Sequence, residues 1–310
     1  MKETSLITIT EPQADYELID SGDEQKLERF GAVILARPDP QALWKKSAPQ
    51  SEWHRAAATF SQQGKSAKWV RGTSQAGDTS GGELPEEWNM KLGDFTFLLG
   101  LSSFKHTGIF PEHLENWKWI GEAVAAAQAN IPAGSFKKIS VLNLFGYTGG
   151  ATLAALAAGA DVCHVDGSKV SIARAKENVR LSGLAEKPVR FILDDALAFV
   201  KREARRGNKY DAIIMDPPAF GRGAKGEVWK IERDLPVLMD ACREIFSADP
   251  VFILLNGYAA GYSPLAYRNN IAPLLPASAR GDIECGELAI RESRGGRLLP
   301  AGMFARWRRV

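Results

Sequence analysis

The sequence predicts an α/β protein in which a doubly wound, Rossmann-like sheet is preceded by a small β-rich domain. From about residue 105 onward, apolar runs of strand length alternate with helical segments, the order that builds a parallel sheet. The first of these runs ends in a glycine-rich turn that opens a helix of small residues, as a nucleotide-binding unit requires. Before residue 105 the chain instead has short β-like pieces separated by turn-rich stretches.

The composition fits that class and excludes others. With 310 residues, 45% hydrophobic and 25% charged, the chain reads as globular. Its 29 Gly lack a three-residue period and only 3 Cys are present, so collagen-like and disulfide-scaffold chains are out. Eight Trp, 14 Phe and a net charge of +2 exclude wholesale disorder. At roughly 100–200 residues per domain the length suits two units, expected at residues 1–104 and 105–310. Residues 1–104 hold 11 Lys/Arg against 15 Asp/Glu, a balance of −4, and the remainder holds 28 against 22, a balance of +6. Met1 to Thr10 lacks the apolar core of a signal peptide, and no apolar run approaches the ~20 residues that cross a bilayer. A soluble, cytoplasmic protein without a membrane partner is therefore expected. Cys163, Cys242 and Cys285 form no CxxC pair, so no metal site is expected. The pattern neither requires nor excludes a homo-oligomer.

Taken in order, the β-like pieces of the first part are Gly31–Ala36, Ala67–Val70 and Phe95–Leu99, with a turn-rich stretch at Gln75–Gly82. Trp44, Trp53, Trp69 and Trp88 fall here and are read as packing residues rather than base-stacking platforms. The second part begins with strand Ile139–Leu144, turn Phe145–Gly150 and helix Ala151–Gly159. Strand Val162–Val165, a helix over about Ser168–Leu181, strand Val189–Leu193 and helix Ala196–Arg206 follow. Next come strand Tyr210–Met215, a helix near Asp234–Phe246, strand Val251–Leu255 and a helix around Leu265–Leu275. Glu287–Ile290 and Met303–Val310, joined across Gly295-Gly296, read as a closing antiparallel hairpin. The count is five parallel-type strands plus that pair.

Chemistry gathers at the strand ends. Gly146, Gly149 and Gly150 allow backbone to approach a ligand at a helix N-terminus, although glycines also serve tight turns. Asp166 ends the second strand 20 positions beyond Gly146, the separation at which a carboxylate meets a ribose hydroxyl. Capping the helix that begins near Ser168 is the alternative. The third strand ends at Asp194-Asp195-Ala196, where a carboxylate can accept from an adenine amino group or cap a helix. The fourth ends Asp216-Pro217-Pro218-Ala219-Phe220. Two prolines hold that turn extended and remove two amide donors, which presents carbonyl acceptors to an amino-bearing ring, with Phe220 as a stacking face.

Asn143-Leu-Phe-Gly-Tyr-Thr-Gly-Gly150, Asp166, Asp195-Ala196 and Asp216-Pro-Pro-Ala-Phe220 resemble the motifs of class I S-adenosylmethionine-dependent methyltransferases. Within that group they are most similar to the large-subunit ribosomal RNA methyltransferases of the 5-methylcytosine and 7-methylguanine type. Lys105-His-Thr-Gly-Ile-Phe-Pro-Glu-His113 resembles that family's segment closing over the cofactor. The likeness covers about residues 105–310 and implies the seven-stranded methyltransferase sheet. It implies that Thr107, Phe110, Asn143, Phe145, Gly146, Tyr147, Thr148, Gly149, Asp166, Ser168, Asp194, Asp195, Ala196 and Asp216 bind S-adenosyl-L-methionine. By the same likeness Asp216, Pro217, Pro218 and Phe220 lie beside the transferred methyl group and the target base. RNA, ribosomal by resemblance, is the implied substrate, with Arg222 and Lys225 as phosphate contacts because they directly follow that turn.

The sequence departs from the family in two respects. Members that make 5-methylcytosine use a cysteine after the fourth or fifth strand, but those places read Asp216-Pro-Pro-Ala219 and Leu255-Asn-Gly-Tyr-Ala-Ala-Gly261. Attack on pyrimidine carbon 6 needs a thiolate, so a base nitrogen is the expected target. Residues 1–104 also lack a convincing match to the RNA-binding domain of many relatives. Basic runs at Lys201–Arg206 and at Arg306 with Arg308-Arg309 are further RNA candidates, each readable as solvated surface. The competing readings are a protein or small-molecule methyltransferase and a non-catalytic RNA-binding module of the same fold. A nicotinamide-dependent dehydrogenase has no need of the Asp216-Pro-Pro turn.

Overall fold

The computed structural model describes residues 6–63, 66–72, 84–102, 105–132, 137–222, 228–258 and 261–309. The chain divides into two compact units. One comprises Met1–Thr8, Glu115–Leu288 and Gly302–Val310, and the other Ile9–Leu114 and Ala289–Ala301. The division does not fall at a single point, because the connection between the last two strands belongs with the N-terminal residues.

The first unit is organised by an eight-stranded sheet. Its strands are β1 (Leu6–Thr10), β2 (Ser140–Leu144), β3 (Asp161–Asp166), β4 (Val189–Leu193), β5 (Ala212–Met215), β6 (Phe252–Gly257), β7 (Glu284–Arg291) and β8 (Leu298–Arg308). The spatial order is β1-β7-β8-β6-β5-β2-β3-β4. β2 pairs in parallel with both β3 and β5, β3 with β4, and β5 with β6, while β8 runs antiparallel to β6. The five parallel strands and the closing pair expected from the sequence are present, and β1 adds an eighth strand. Its partner β7 is remote in sequence, so no local pattern announces the pairing.

Between the strands run α1 (Leu114–Ala129), α2 (Gly150–Ala157), α3 (Lys169–Leu181), α4 (Ala196–Arg205), α5 (Ile231–Arg243) and α6 (Pro264–Ile271). Every residue of β5 and β6 is buried, as central parallel strands covered on both faces must be. α4 buries Ala196, Phe199, Val200 and Glu203, the i, i+3, i+4, i+7 face of an amphipathic helix. Side-chain oxygens of Ser168, Asp195 and Ser263 accept amides of Ser171, Ala198 and Leu265, which starts α3, α4 and α6 where their strands end. Strand order reverses between β2 and β5, and that is where an open α/β sheet presents a crevice at the carboxyl ends of its strands.

The second unit holds a five-stranded sheet of Tyr16–Gly22, Gln25–Phe30, Val33–Pro38, Ala58–Gln63 and Ser66–Arg71, and a hairpin of Glu87–Leu92 with Phe95–Gly100. Its tryptophans pack with their indole N–H groups satisfied. Trp44 donates to the Ser21 carbonyl, Trp53 to Asp20 Oδ2, Trp69 to the Ser102 carbonyl and Trp88 to the Phe30 carbonyl. Charges are buried beside them. Glu28 accepts from the Arg37 guanidinium and from Tyr16 Oη, and Arg297 bridges Asp20 and Glu292.

Candidate functional site

The turn after β2 is the most constrained backbone of the sheet unit. Phe145 (φ 56°) and Tyr147 (φ 48°) are in the left-handed region, and Gly149 (φ 94°) caps α2. For residues with a Cβ such conformations cost of order 1–3 kcal/mol each and persist only where the surroundings fix them. Here the Gly146 amide donates to the Val165 carbonyl (3.0 Å), the Gly149 amide to the Gly146 carbonyl (3.0 Å) and Asn178 Nδ2 to the Thr148 carbonyl (2.8 Å). The glycines are spatial requirements as well. A Cβ on Gly146 would lie 2.5–2.9 Å from the His164 ring, and one on Gly150 would lie 2.2 Å from a Trp117 ring carbon.

Asp166, at the end of β3, joins the turn to the next helix. Its Oδ2 accepts the Tyr147 amide and its Oδ1 the Ser168 amide, both at 2.8 Å. Burial pushes its carboxyl above the ordinary aspartate range, and the two amides partly oppose that shift. The N-cap of α3 is Ser168 and not Asp166. At the end of β4 the two carboxylates divide their work. Asp194 pairs with Arg202 and accepts the Asp195 amide, while Asp195 Oδ1 caps α4 through the Ala198 amide, at 2.8 Å. Capping uses one oxygen of Asp195 and leaves the other for an outside donor. Asn143 is buried and donates to Thr152 Oγ1, so its amide meets the first turn of α2.

After β5, Asp216 is half-buried, Pro217 buried and Phe220 is 55% exposed. The expectation that this turn leaves its carbonyls open needs a correction. The Pro218 carbonyl accepts Trp229 Nε1 (2.6 Å) and the Ala219 carbonyl accepts the Ile231 amide (3.1 Å), because Phe220–Arg222 folds back against Val228–Lys230 as a short hairpin. Trp229 also meets Phe145 edge-on, with centroids 5.0 Å apart. It thereby ties the glycine turn to the proline turn, a role no motif in the sequence signalled. Sequence reasoning also passed over His164, although strand alternation sets it on the same face of β3 as Asp166.

Thr107 and Phe110 lie in the other unit. Thr107 is fully buried, with no hydrogen-bond partner for its hydroxyl among the described residues, and Phe110 packs edge-on to His106 at 5.3 Å. Of Arg222 only the backbone is described, and Lys225 lies outside the described residues. The other basic runs prove largely engaged within the fold. Arg306 donates to Glu284 and Asn116 and lies over the Trp119 and Phe304 rings, Arg309 donates to the Asp249 and Pro250 carbonyls, and Arg206 pairs with Glu203. All three cysteines are buried, and burial pushes the Cys242 thiol up to about 12. No described helix is long and apolar enough to cross a membrane.

The strand order reverses between β2 and β5, and carboxylates stand at the ends of β3, β4 and β5, the arrangement in which open α/β sheets bind nucleotides. Residues 33–250 match the model of the S-adenosylmethionine-dependent methyltransferase family, and the chain belongs to that family. Its cofactor is S-adenosyl-L-methionine. The chain is 25% identical over 248 residues to ribosomal RNA large subunit methyltransferase K of Neisseria meningitidis, spanning 79% of this chain and 66% of that protein. It is 31% identical over 175 residues to ribosomal RNA large subunit methyltransferase K/L of Shewanella frigidimarina, spanning 56% of this chain but only 22% of that protein. Among solved structures, the SAM-dependent methyltransferase of Agrobacterium tumefaciens is 38% identical with a TM-score of 0.87, covering 98% of this chain and 93% of that one. The methyltransferase SMU.776 complexed with SAH shares the fold at 18% identity and a TM-score of 0.68, covering 94% of this chain and 75% of that one. The donor set suits the cofactor: carboxylates for a diol and an amino group, and an aromatic pair, Phe145 with Trp229, beside them.

Proposed function

We propose that the protein methylates RNA, in the cytoplasm and within the large ribosomal subunit, at a base nitrogen. The observation that carries this reading is the turn after β5, where a half-buried carboxylate is followed by an exposed aromatic face. Asp216 and Phe220 there suit a flat, amino-bearing ring, which stacks on one and donates to the other. The names of the Neisseria and Shewanella relatives support ribosomal RNA as the source of that ring.

In this reading Asp166 holds the ribose hydroxyls, Asp195 with Asp194 and Ala196 receives the adenine, and Phe145 to Gly149 with Asn143 and Ser168 frame the remainder. Bound, the cofactor supplies a methyl group on a sulfonium, already an excellent leaving group. The chain's residues therefore contribute alignment rather than proton transfer. Asp216 accepts a hydrogen bond from the base and sets its angle, Pro217 and Pro218 hold the turn extended, and Phe220 fixes the plane of the ring. Arg222 and Lys225 are the proposed phosphate contacts. A nitrogen lone pair needs no covalent activation, whereas carbon 5 of cytosine would need an accessible thiolate, and every cysteine is buried.

The test is nucleoside mass spectrometry on ribosomal RNA from a deletion strain complemented with the natural chain or with Asp216→Ala. One base-nitrogen methylation should disappear on deletion and return only with the natural chain. A missing 5-methylcytosine would overturn the nitrogen assignment, and unchanged RNA with labelled protein in a lysate would overturn the RNA substrate. Asp166→Ala should raise the Kd for S-adenosylmethionine, and Asp216→Ala should mainly lower turnover.

A further inference from the structure

His164 is fully buried, directly beneath the glycine turn, and the reading above gives it no part. Three side chains form a line that ends on it. Asn143 Nδ2 donates to Thr152 Oγ1 at 2.9 Å, and Thr152 Oγ1 lies 2.9 Å from His164 Nδ1. Asn143 is 2% exposed and Thr152 0%, so water does not compete for these bonds. An amide nitrogen only donates, so Thr152 accepts from Asn143 and has one hydroxyl hydrogen to give. Given to His164 Nδ1, 2.9 Å away, that hydrogen makes Nδ1 an acceptor and places the ring proton on Nε2. His164 Nε2 has no hydrogen-bond partner within the usual limits among the described residues, and the polar group that bears on the ring is the Tyr147 backbone. The ring face fills the space that a Gly146 Cβ would occupy, between the two left-handed residues Phe145 and Tyr147. Asp166, on the same face of β3, holds the Tyr147 amide. The turn is thus gripped from below by two side chains two residues apart on one strand.

We propose that His164, oriented as its Nε2–H tautomer by Thr152 and Asn143, is a positioning residue that holds the Phe145–Tyr147 backbone in its cofactor-binding conformation. The proposal rests on the reading that this turn receives S-adenosylmethionine. It explains why a hydroxyl, an amide and an imidazole are buried together: neutral groups bond in series without the desolvation penalty of a charge. His164 touches no reacting atom and acts only through the backbone above it.

The test uses the full-length chain with two readouts, cofactor affinity by calorimetry and the His164 tautomer by nitrogen-15 NMR, the latter recorded without cofactor. Thr152→Val removes the hydroxyl at nearly constant volume. It should release the tautomer preference and raise the Kd for S-adenosylmethionine about tenfold, equivalent to about 1.4 kcal/mol, with kcat at saturating cofactor changed less than threefold. Thr152→Ser keeps the hydroxyl and should restore both the tautomer and the affinity to within about threefold. Cooperative thermal melting of each variant separates loss of position from loss of fold. The proposal is overturned if Thr152→Val keeps the natural tautomer, if it binds cofactor as the natural chain does, or if Thr152→Ser is as impaired as Thr152→Val. Asp166→Ala separates the two levels. Weakened binding in Asp166→Ala beside natural binding in Thr152→Val removes only the role of His164, whereas natural binding in both removes the turn as the cofactor site.

Discussion

The two units solve the problem of buried polarity in different ways. In the N-terminal unit the buried polar residues are largely charged: Asp20, Lys26, Glu28, Arg37, Asp39, Glu112 and Glu292. In the sheet unit they are mainly amides, hydroxyls and an imidazole: Asn116, Asn143, Thr148, Thr152, His164, Asn178 and Asn256, with Glu203 and Asp211 as the charged members. A buried ion pair is costly to desolvate and stable only while complete. A buried neutral network asks less, and it can fix backbone geometry at strand ends with one bond per group. The unit that holds the glycine turn uses the second device, and the unit without that turn uses the first.

Breaking an ion pair should therefore have the largest effect. Glu28→Ala leaves the Arg37 guanidinium buried without its carboxylate, and urea denaturation should reveal a loss of about 3–5 kcal/mol in the N-terminal unit. If the loss is under about 1 kcal/mol, the charge-based half of the contrast fails. Acid comes next. Burial depresses His164 to about 4, against about 6.5 in an unfolded chain. Between those pH values the unfolded chain binds more protons than the folded one, so stability is full above about 6.5 and falls as pH drops toward 4. The loss should approach about 3 kcal/mol, read by hydrogen exchange of β2 and β3 amides. His106 in the other unit is likewise depressed to about 4, chiefly by burial, so its own segment should weaken in the same window.

Smaller changes sharpen the account of the turn. Gly150→Ala drives a methyl into the Trp117 ring and should destabilise by about 1–3 kcal/mol, with a lowered Tm. Ser168→Ala removes the cap of α3 and should lose about 1 kcal/mol while Asp166 keeps the Tyr147 amide. If cofactor affinity drops more in Ser168→Ala than in Asp166→Ala, Ser168 and not Asp166 is the principal contact at the end of β3.

Much of this was legible in the sequence. Alternating apolar runs gave the parallel strands, and Asp166, Asp195 and Asp216 fall at strand ends as their spacing required. What escaped was what depends on distant partners. β1 pairs with a strand near the other end of the chain. Pro218 reads as an open acceptor until Trp229 folds back onto its carbonyl. Arg306 reads as a basic surface residue until Glu284, Asn116 and two aromatic rings enclose it. His164 reads as one more strand residue until Thr152, on the helix after the turn, reaches its Nδ1.

The sequence by itself determined the parallel strands and the helices between them, because periodicity is a local property of the chain, and its strand-end motifs carried the resemblance to the family and so to the cofactor. Tertiary structure alone decided which polar groups are left to meet a ligand. A carbonyl, a carboxylate or a guanidinium is available only if no other part of the fold has already taken its hydrogen bonds, and those partners lie tens to hundreds of residues away.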